Sequence, residues 1–281
     1  MRVRTLVRVL GPAVAAVMLA AACGQETTTD GESPGAPQLE TIQDGVLIVA
    51  SCLDFPPFES VEDGVETGFD VDLTEAIAGK LGLEVEWLRI DFDTIFTAAA
   101  GGQFDMGAAA ITATGETGEE RATRVAFSDF YFNSRQSLTV NTTETPDIAS
   151  TDDLGDGDVV GVQRGTTGKA WAEENLADQG VQFKTFQAAP DAFRDLEAGA
   201  ITAVVNDEQS SAEIITDLPS LELVEAIDTD EKYAFAFSQD NPELVEAVNQ
   251  ALQEIIDEGT YEEIFAKYFP GAEVPPEFQA A

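Results

Sequence analysis

The stretch GFDVDLTEAIAGKLGLEVEW (Gly68–Trp87) changes its period in mid-course, and the architecture follows from that change. Leu73, Ile77 and Leu81 recur every four residues, which puts them on one face of a helix over 70–81. Gly82 stops it, because glycine enters the left-handed conformation that closes a helix without steric cost. Beyond it Leu83, Val85 and Trp87 alternate with acids, the two-residue period of a strand. Upstream, GVLIVA (Gly45–Ala50) is a buried strand run, separated from the helix by a turn with Pro56 and Pro57. Downstream, 93–100 reads as a short helix ending at Gly101-Gly102, and 104–111 as a third strand. The whole is a β-α-β-α-β unit.

The same grammar returns. Strands are expected at 159–162, 181–186 and 203–206, with helices opening at Gly165-Thr166-Thr167-Gly168 and over 191–198. Asn241-Pro242 starts a further helix with Leu244, Val248, Leu252 and Ile255 on one face. Thr260-Tyr261-Glu262-Glu263 has the spacing of a capping box for a last helix. The expected fold is α/β and two-lobed, with two mostly parallel sheets flanked by helices and a cleft between the lobes. In such sheets ligands sit at the carboxyl ends of the strands, so two facing lobes share one site. The final helices are assigned to the first lobe. This makes lobe 1 discontinuous, 41–131 plus 236–281, with lobe 2 spanning 132–235 and hinges near Tyr131–Arg135 and Tyr233.

Charge narrows the function. Of 281 residues, 53 are Asp or Glu against 14 Lys or Arg, with no His, for a formal charge of −39. A surface of that sign repels phosphate backbones, which argues against nucleic acid as a partner. Without His, neither a Ser-His-Asp hydrolase nor a His-ligated zinc enzyme is expected, and no metal or cofactor is expected. Arg2, Arg4 and Arg8 precede an apolar run, Val9–Ala22, too short to span a bilayer; together they read as a secretory signal over 1–22. Leu19-Ala20-Ala21-Ala22-Cys23-Gly24 has the form of a lipoprotein cleavage site, which makes Cys23 the acylated first residue of the mature chain. Residues 23–40, rich in Thr, Gly, Pro and acids, then form a flexible tether to the membrane. With Cys23 acylated, Cys52 is left with no disulfide partner.

Seven stretches in order, FPPFE (Phe55–Glu59), GFDVDLTEAIAGKLG (Gly68–Gly82), GQFDMGAAAIT (Gly102–Thr112), VAFSDFYF (Val125–Phe132), GVQRGTT (Gly161–Thr167), AVVND (Ala203–Asp207) and GTYEEIFAKYF (Gly259–Phe269), resemble the bacterial extracellular solute-binding proteins of family 3. These are the polar amino acid receptors of ABC importers. The resemblance implies a type II periplasmic-binding-protein fold outside the cytoplasm and a small amino acid ligand. It also implies a permease and an ATPase as partners, a monomer, and no enzymatic activity. It leaves open a dehydratase-like enzyme on the same fold, with Asp54 the nearest candidate acid, or a partner of a membrane sensor.

By resemblance, Arg121 is the guanidinium for the ligand carboxylate, with the Thr112 hydroxyl before it and Ala110 facing the ligand; two parallel N–H donors suit a carboxylate. Asp207 is the acid for the ammonium. Thr167, at a helix start, offers its backbone N–H to the carboxylate. Phe55 and Phe92 flank the ligand side chain, and Cys52 and Gln163 face it. Duller roles stand beside these: Phe55 and Phe92 as core, Arg121 as a surface pair among Glu119 and Glu120, Asp207 and the threonines as helix caps. The segment from Thr112 to Arg121 is about four residues longer than the family's spacing, so Arg124 competes for the carboxylate. Cys52 replaces the Asp or other polar residue of many members; with Gln163 and Asn206 at other side-chain-facing positions it favours a neutral polar or apolar amino acid over a cationic one, while Asp54 and Glu59 nearby keep a cationic one open.

Overall fold

The computed structural model describes residues 39–280, and the signal, Cys23 and most of the tether expected from sequence lie outside them. The chain enters through β1 (Val46–Ser51), the hairpin β2 (Ser60–Glu62) and β3 (Val65–Thr67), α1 (Phe69–Leu81), β4 (Glu84–Arg89), α2 (Ile95–Ala100), β5 (Met106–Gly107), α3 (Gly115–Ala122) and β6 (Ala126–Phe127). It crosses into β7 (Phe132–Asn141), β8 (Val159–Gln163), α4 (Thr167–Leu176), β9 (Gln182–Phe186), α5 (Ala189–Glu197), β10 (Ala203–Asp207), α6 (Glu208–Ile214) and β11 (Leu221–Tyr233). It returns through β12 (Ala236–Phe237), α7 (Pro242–Asp257) and α8 (Thr260–Tyr268).

Two five-stranded sheets result, ordered β4-β1-β5-β12-β6 and β11-β7-β10-β8-β9. In each, the parallel half is the β-α-β-α-β unit read from sequence, β4-β1-β5 and β10-β8-β9. The antiparallel half comes from strands next to the two crossings. The crossings run side by side: Phe132 is in register with Tyr233, and the Tyr131 N–H donates to the Tyr233 carbonyl at 2.9 Å.

The apolar face of α1 is buried through Leu73 and Ile77, and Gly82 ends the helix at φ 69°, its N–H directed to Ala78 and Gly79 carbonyls. At the other end Gly68 is obligatory. A Cβ there would lie 2.1 Å from the Phe58 carbonyl oxygen, so only glycine lets the hairpin pass against the Pro56-Pro57 turn. Leu244, Val248, Leu252 and Ile255 of α7 are buried as their spacing requires, and the Asn241 side chain accepts the Leu244 N–H at 3.2 Å. These helices and α8 close one continuous core on the first sheet. The second sheet has a smaller cluster on each side.

Two local expectations fail. Gly259, at φ 80°, is the N-cap of α8 and Thr260 already lies inside the helix, so no capping box forms; the glycine that ends α7 also begins α8. The strand expected over 104–111 keeps only Met106–Gly107, because the chain turns at Ala110, where φ is 46°.

Candidate ligand-binding site

Cys52, Phe55, Phe92, Ala110, Thr112, Arg121, Gln163, Thr167 and Asp207 line one cavity of about 300 Å³, with Ala109 and Thr166 completing the wall. All nine residues singled out from the sequence therefore meet in one place. The fold explains the convergence: Cys52 follows β1, Gln163 ends β8 and Asp207 ends β10, so carboxyl ends of parallel strands from both sheets point at the same space.

Arg121 is in the last turn of α3, 4% exposed. The additional residues before it form the start of that helix. Gly118 permits this, since a Cβ there would stand 2.3 Å from the Ala113 carbonyl carbon. Nη1 of Arg121 donates to the Thr112 carbonyl at 2.7 Å and Nη2 to the Gly165 carbonyl at 2.8 Å. The guanidinium lies over Phe92 and Phe96, 5.5 and 4.6 Å from the ring centroids. No carboxylate of the described residues pairs with it. Burial lowers its pKa to about 10, opposed by the charges of Glu231, Asp207 and Glu120, so it remains cationic at neutral pH. Of its five N–H donors, two are engaged by protein. Arg124 instead faces outward and pairs with Glu120 at 2.7 Å.

Asp207 comes from the other sheet and is 6% exposed. It stands at the N-cap of α6 without capping it. Oδ1 accepts from Gln136 Nε2 at 2.7 Å and Oδ2 from the Tyr233 hydroxyl. Burial, then the charge of Glu231, raises its pKa. Thr166, not Thr167, caps α4, its Oγ1 accepting the Lys169 N–H at 3.1 Å. The cavity thus holds a cation from one sheet and an acid from the other, with aromatic faces between.

A buried polar layer backs this wall. The Cys52 thiol donates to Glu59 Oε1 at 3.3 Å, and burial followed by the Glu59 and Asp54 charges pushes its pKa well up, so it stays protonated. Asp70 Oδ2 accepts both the Ala110 N–H and the Tyr131 hydroxyl at 2.8 Å, pinning the left-handed turn that brings Ala110 to the cavity. Asp70, Gln136 and Glu231 were not identified from the sequence as parts of the site, and Tyr233 was expected only at a hinge. Gln136 alone had a usable signal, a polar residue in an extended run that is otherwise hard to place on a solvent face. Gln163 donates to the Gln187 carbonyl at 3.1 Å. Across the cleft Gln187 Nε2 donates to Asp93 Oδ1 at 2.9 Å, while a Cβ on Gly165 would come within 2.9 Å of the Asp93 Cβ.

Comparison with known proteins places this geometry. A probable histidine-binding protein of Neisseria gonorrhoeae is 32% identical over 228 residues, covering 80% of this chain and 83% of that protein. An ancestral arginine-binding protein, solved bound to arginine, is 37% identical with a TM-score of 0.75, covering 80% of this chain and 98% of the other. Its structure bound to glutamine matches at 37% identity and a TM-score of 0.74, covering 81% and 99%. The family model for bacterial extracellular solute-binding proteins, family 3, matches residues 47–271. With the two-lobed α/β fold and the cavity at the ends of both sheets, the chain belongs to the bacterial extracellular solute-binding proteins of family 3.

Proposed function

We propose that the chain is the extracytoplasmic substrate-binding component of an ABC importer and closes on a polar or neutral amino acid. The observation that carries this reading is the buried guanidinium of Arg121 and the buried carboxyl group of Asp207, brought to one small cavity by different lobes with no direct bond between them. A dipolar guest completes both: its carboxylate takes the free guanidinium donors and helix-start N–H groups, and its ammonium takes Asp207 and neighbouring carbonyls such as that of Ala110. Phe55 and Phe92 flank its side chain, excluding water and strengthening each polar contact. The rest of the lining, with Cys52 protonated and Gln163 uncharged, contains no second acid for a cationic side chain. Closure brings together lobe 1 (41–131 and 236–281) and lobe 2 (132–235), and the closed monomer docks on a permease driven by an ATPase. Acylated Cys23 and the tether over 23–40 keep it at the outer face of the cytoplasmic membrane.

Calorimetry of the protein against the twenty amino acids tests this. Binding of at least one, abolished by Arg121→Ala or Asp207→Ala, is expected. Failure of every amino acid to bind tighter than about 1 mM, near −4 kcal/mol, overturns it.

A further inference from the structure

Glu231 lies two residues before the end of β11 in a run of acids, Asp228-Thr229-Asp230-Glu231, yet it alone among those acids is buried, 5% exposed. A bulge causes this. Between the pairs Ile227↔Gln136 and Glu231↔Ser134, β11 advances four residues while β7 advances two, and Asp230 takes φ 47°. The carboxylate so turned inward is fully engaged. Oε2 accepts the Thr112 hydroxyl at 2.6 Å and the Thr167 hydroxyl at 2.8 Å; Oε1 accepts Thr229 Oγ1 at 2.9 Å and Gln136 Nε2 at 3.0 Å. Thr112 leaves the first sheet and Thr167 opens α4 on the second, so one oxygen atom ties the two sides of the cleft at its inner end. Glu231 does not line the cavity; of its three threonine partners Thr112 and Thr167 do, and Thr229 does not.

We propose that Glu231 is a positioning residue that sets the closed angle between the lobes and so the residence time of the guest. The argument is one of desolvation. A buried carboxylate is tolerable only when its lone pairs are filled, and here two of the four donors are hydroxyls that meet only when α4 stands against the Thr112 segment. Any opening that separates them removes donors from a buried carboxyl oxygen, which holds the inner end of the cleft shut more firmly than an apolar contact does. Each hydroxyl has a single proton, committed to Glu231. Thr112 and Thr167 therefore have only backbone N–H groups to give a guest carboxylate, beside Arg121. This guest-side consequence rests on the reading under Proposed function; the effect on closure does not.

The test uses the full chain and Glu231→Gln, which keeps shape and length, with L-glutamine and L-arginine as probes. Affinity is expected to fall at least about tenfold, through faster release in stopped flow, while the unliganded melting temperature changes little. Thr167→Val weakens binding alone but adds little in the Glu231→Gln background, because both changes cut the same tie. Unchanged affinity and release rate overturn the proposal. So does a loss of affinity that follows a loss of stability and adds fully to that of Thr167→Val. If the wild type binds neither probe, solution scattering decides the matter without a guest: a larger radius of gyration for Glu231→Gln supports the tie, and an identical one refutes it.

Discussion

Arg121 is maintained at a cost to the fold, and Arg121→Met separates that cost from its use. Burial lowers its pKa to about 10, a shift that corresponds to about 3 kcal/mol against the charged form in the folded state. Hydrogen bonds to the Thr112 and Gly165 carbonyls and the faces of Phe92 and Phe96 recover part of this. Methionine fills most of the same volume and retains a favourable contact with the rings. The unliganded variant is therefore expected to melt at the wild-type temperature or a few degrees above it. Its affinity behaves oppositely. A guest carboxylate left in the cavity without its cation loses about 3–5 kcal/mol, a weakening of at least about a hundredfold. Calorimetry with the best-bound amino acid and thermal melts without it measure both quantities. Affinity within threefold of wild type refutes the carboxylate role. A melting temperature lowered by more than about 5 °C refutes the idea that the charge is held against the stability of the fold.

Asp70, raised from 3.8 to about 7 chiefly by burial, gives a pH dependence of known sign. Its protonated form is favoured on folding, so the stability it contributes is complete below about pH 4 and is lost as the pH rises through 7. Urea unfolding at pH 5 and pH 8 should show a larger loss in the wild type than in Asp70→Asn, and equal losses refute the assignment. Gly165→Ala combines φ 78° with a Cβ placed 2.9 Å from that of Asp93, strain of about 1–2 kcal/mol. The backbone strain should lower the melting temperature by about 2–4 °C per kcal/mol, while the clash across the cleft should weaken guest binding roughly tenfold; unchanged affinity contradicts the closure described. Cys52 is buried with a protonated thiol, so iodoacetamide at pH 8 should modify it far more slowly than it does in urea. Comparable rates exclude that environment.

What the sequence disclosed, and what it hid, follows from period and context. The faces of α1 and α7 were legible because apolar residues at helical spacing have one physical explanation, a buried stripe. The strands next to the crossings were not: β7 and β11 carry Ser, Gln, Thr and acids at buried positions, where side-chain hydrogen bonds replace the apolar signal. The cavity residues were legible through the family resemblance, since they stand at strand ends and helix starts. Arg121 and Arg124 could not be told apart locally, because both neighbour Glu120 in reach of a helical turn. The packing of Gly118 on Ala113 rotates one inward and leaves the other in water. Glu231 was hidden among acids, and only the bulge preceding it turns it inward.

The pairing of Phe132 with Tyr233 has an evolutionary reading. Everything from the first of these residues to the second leaves and re-enters its host at neighbouring points, so the intervening hundred or so residues resemble a cassette plugged into an otherwise continuous scaffold. Such an insert can be exchanged between relatives, or shortened to a tight loop, without altering the path of the host chain. Half of the recognition surface is thereby free to change while the half that holds both ends of the described residues keeps its course.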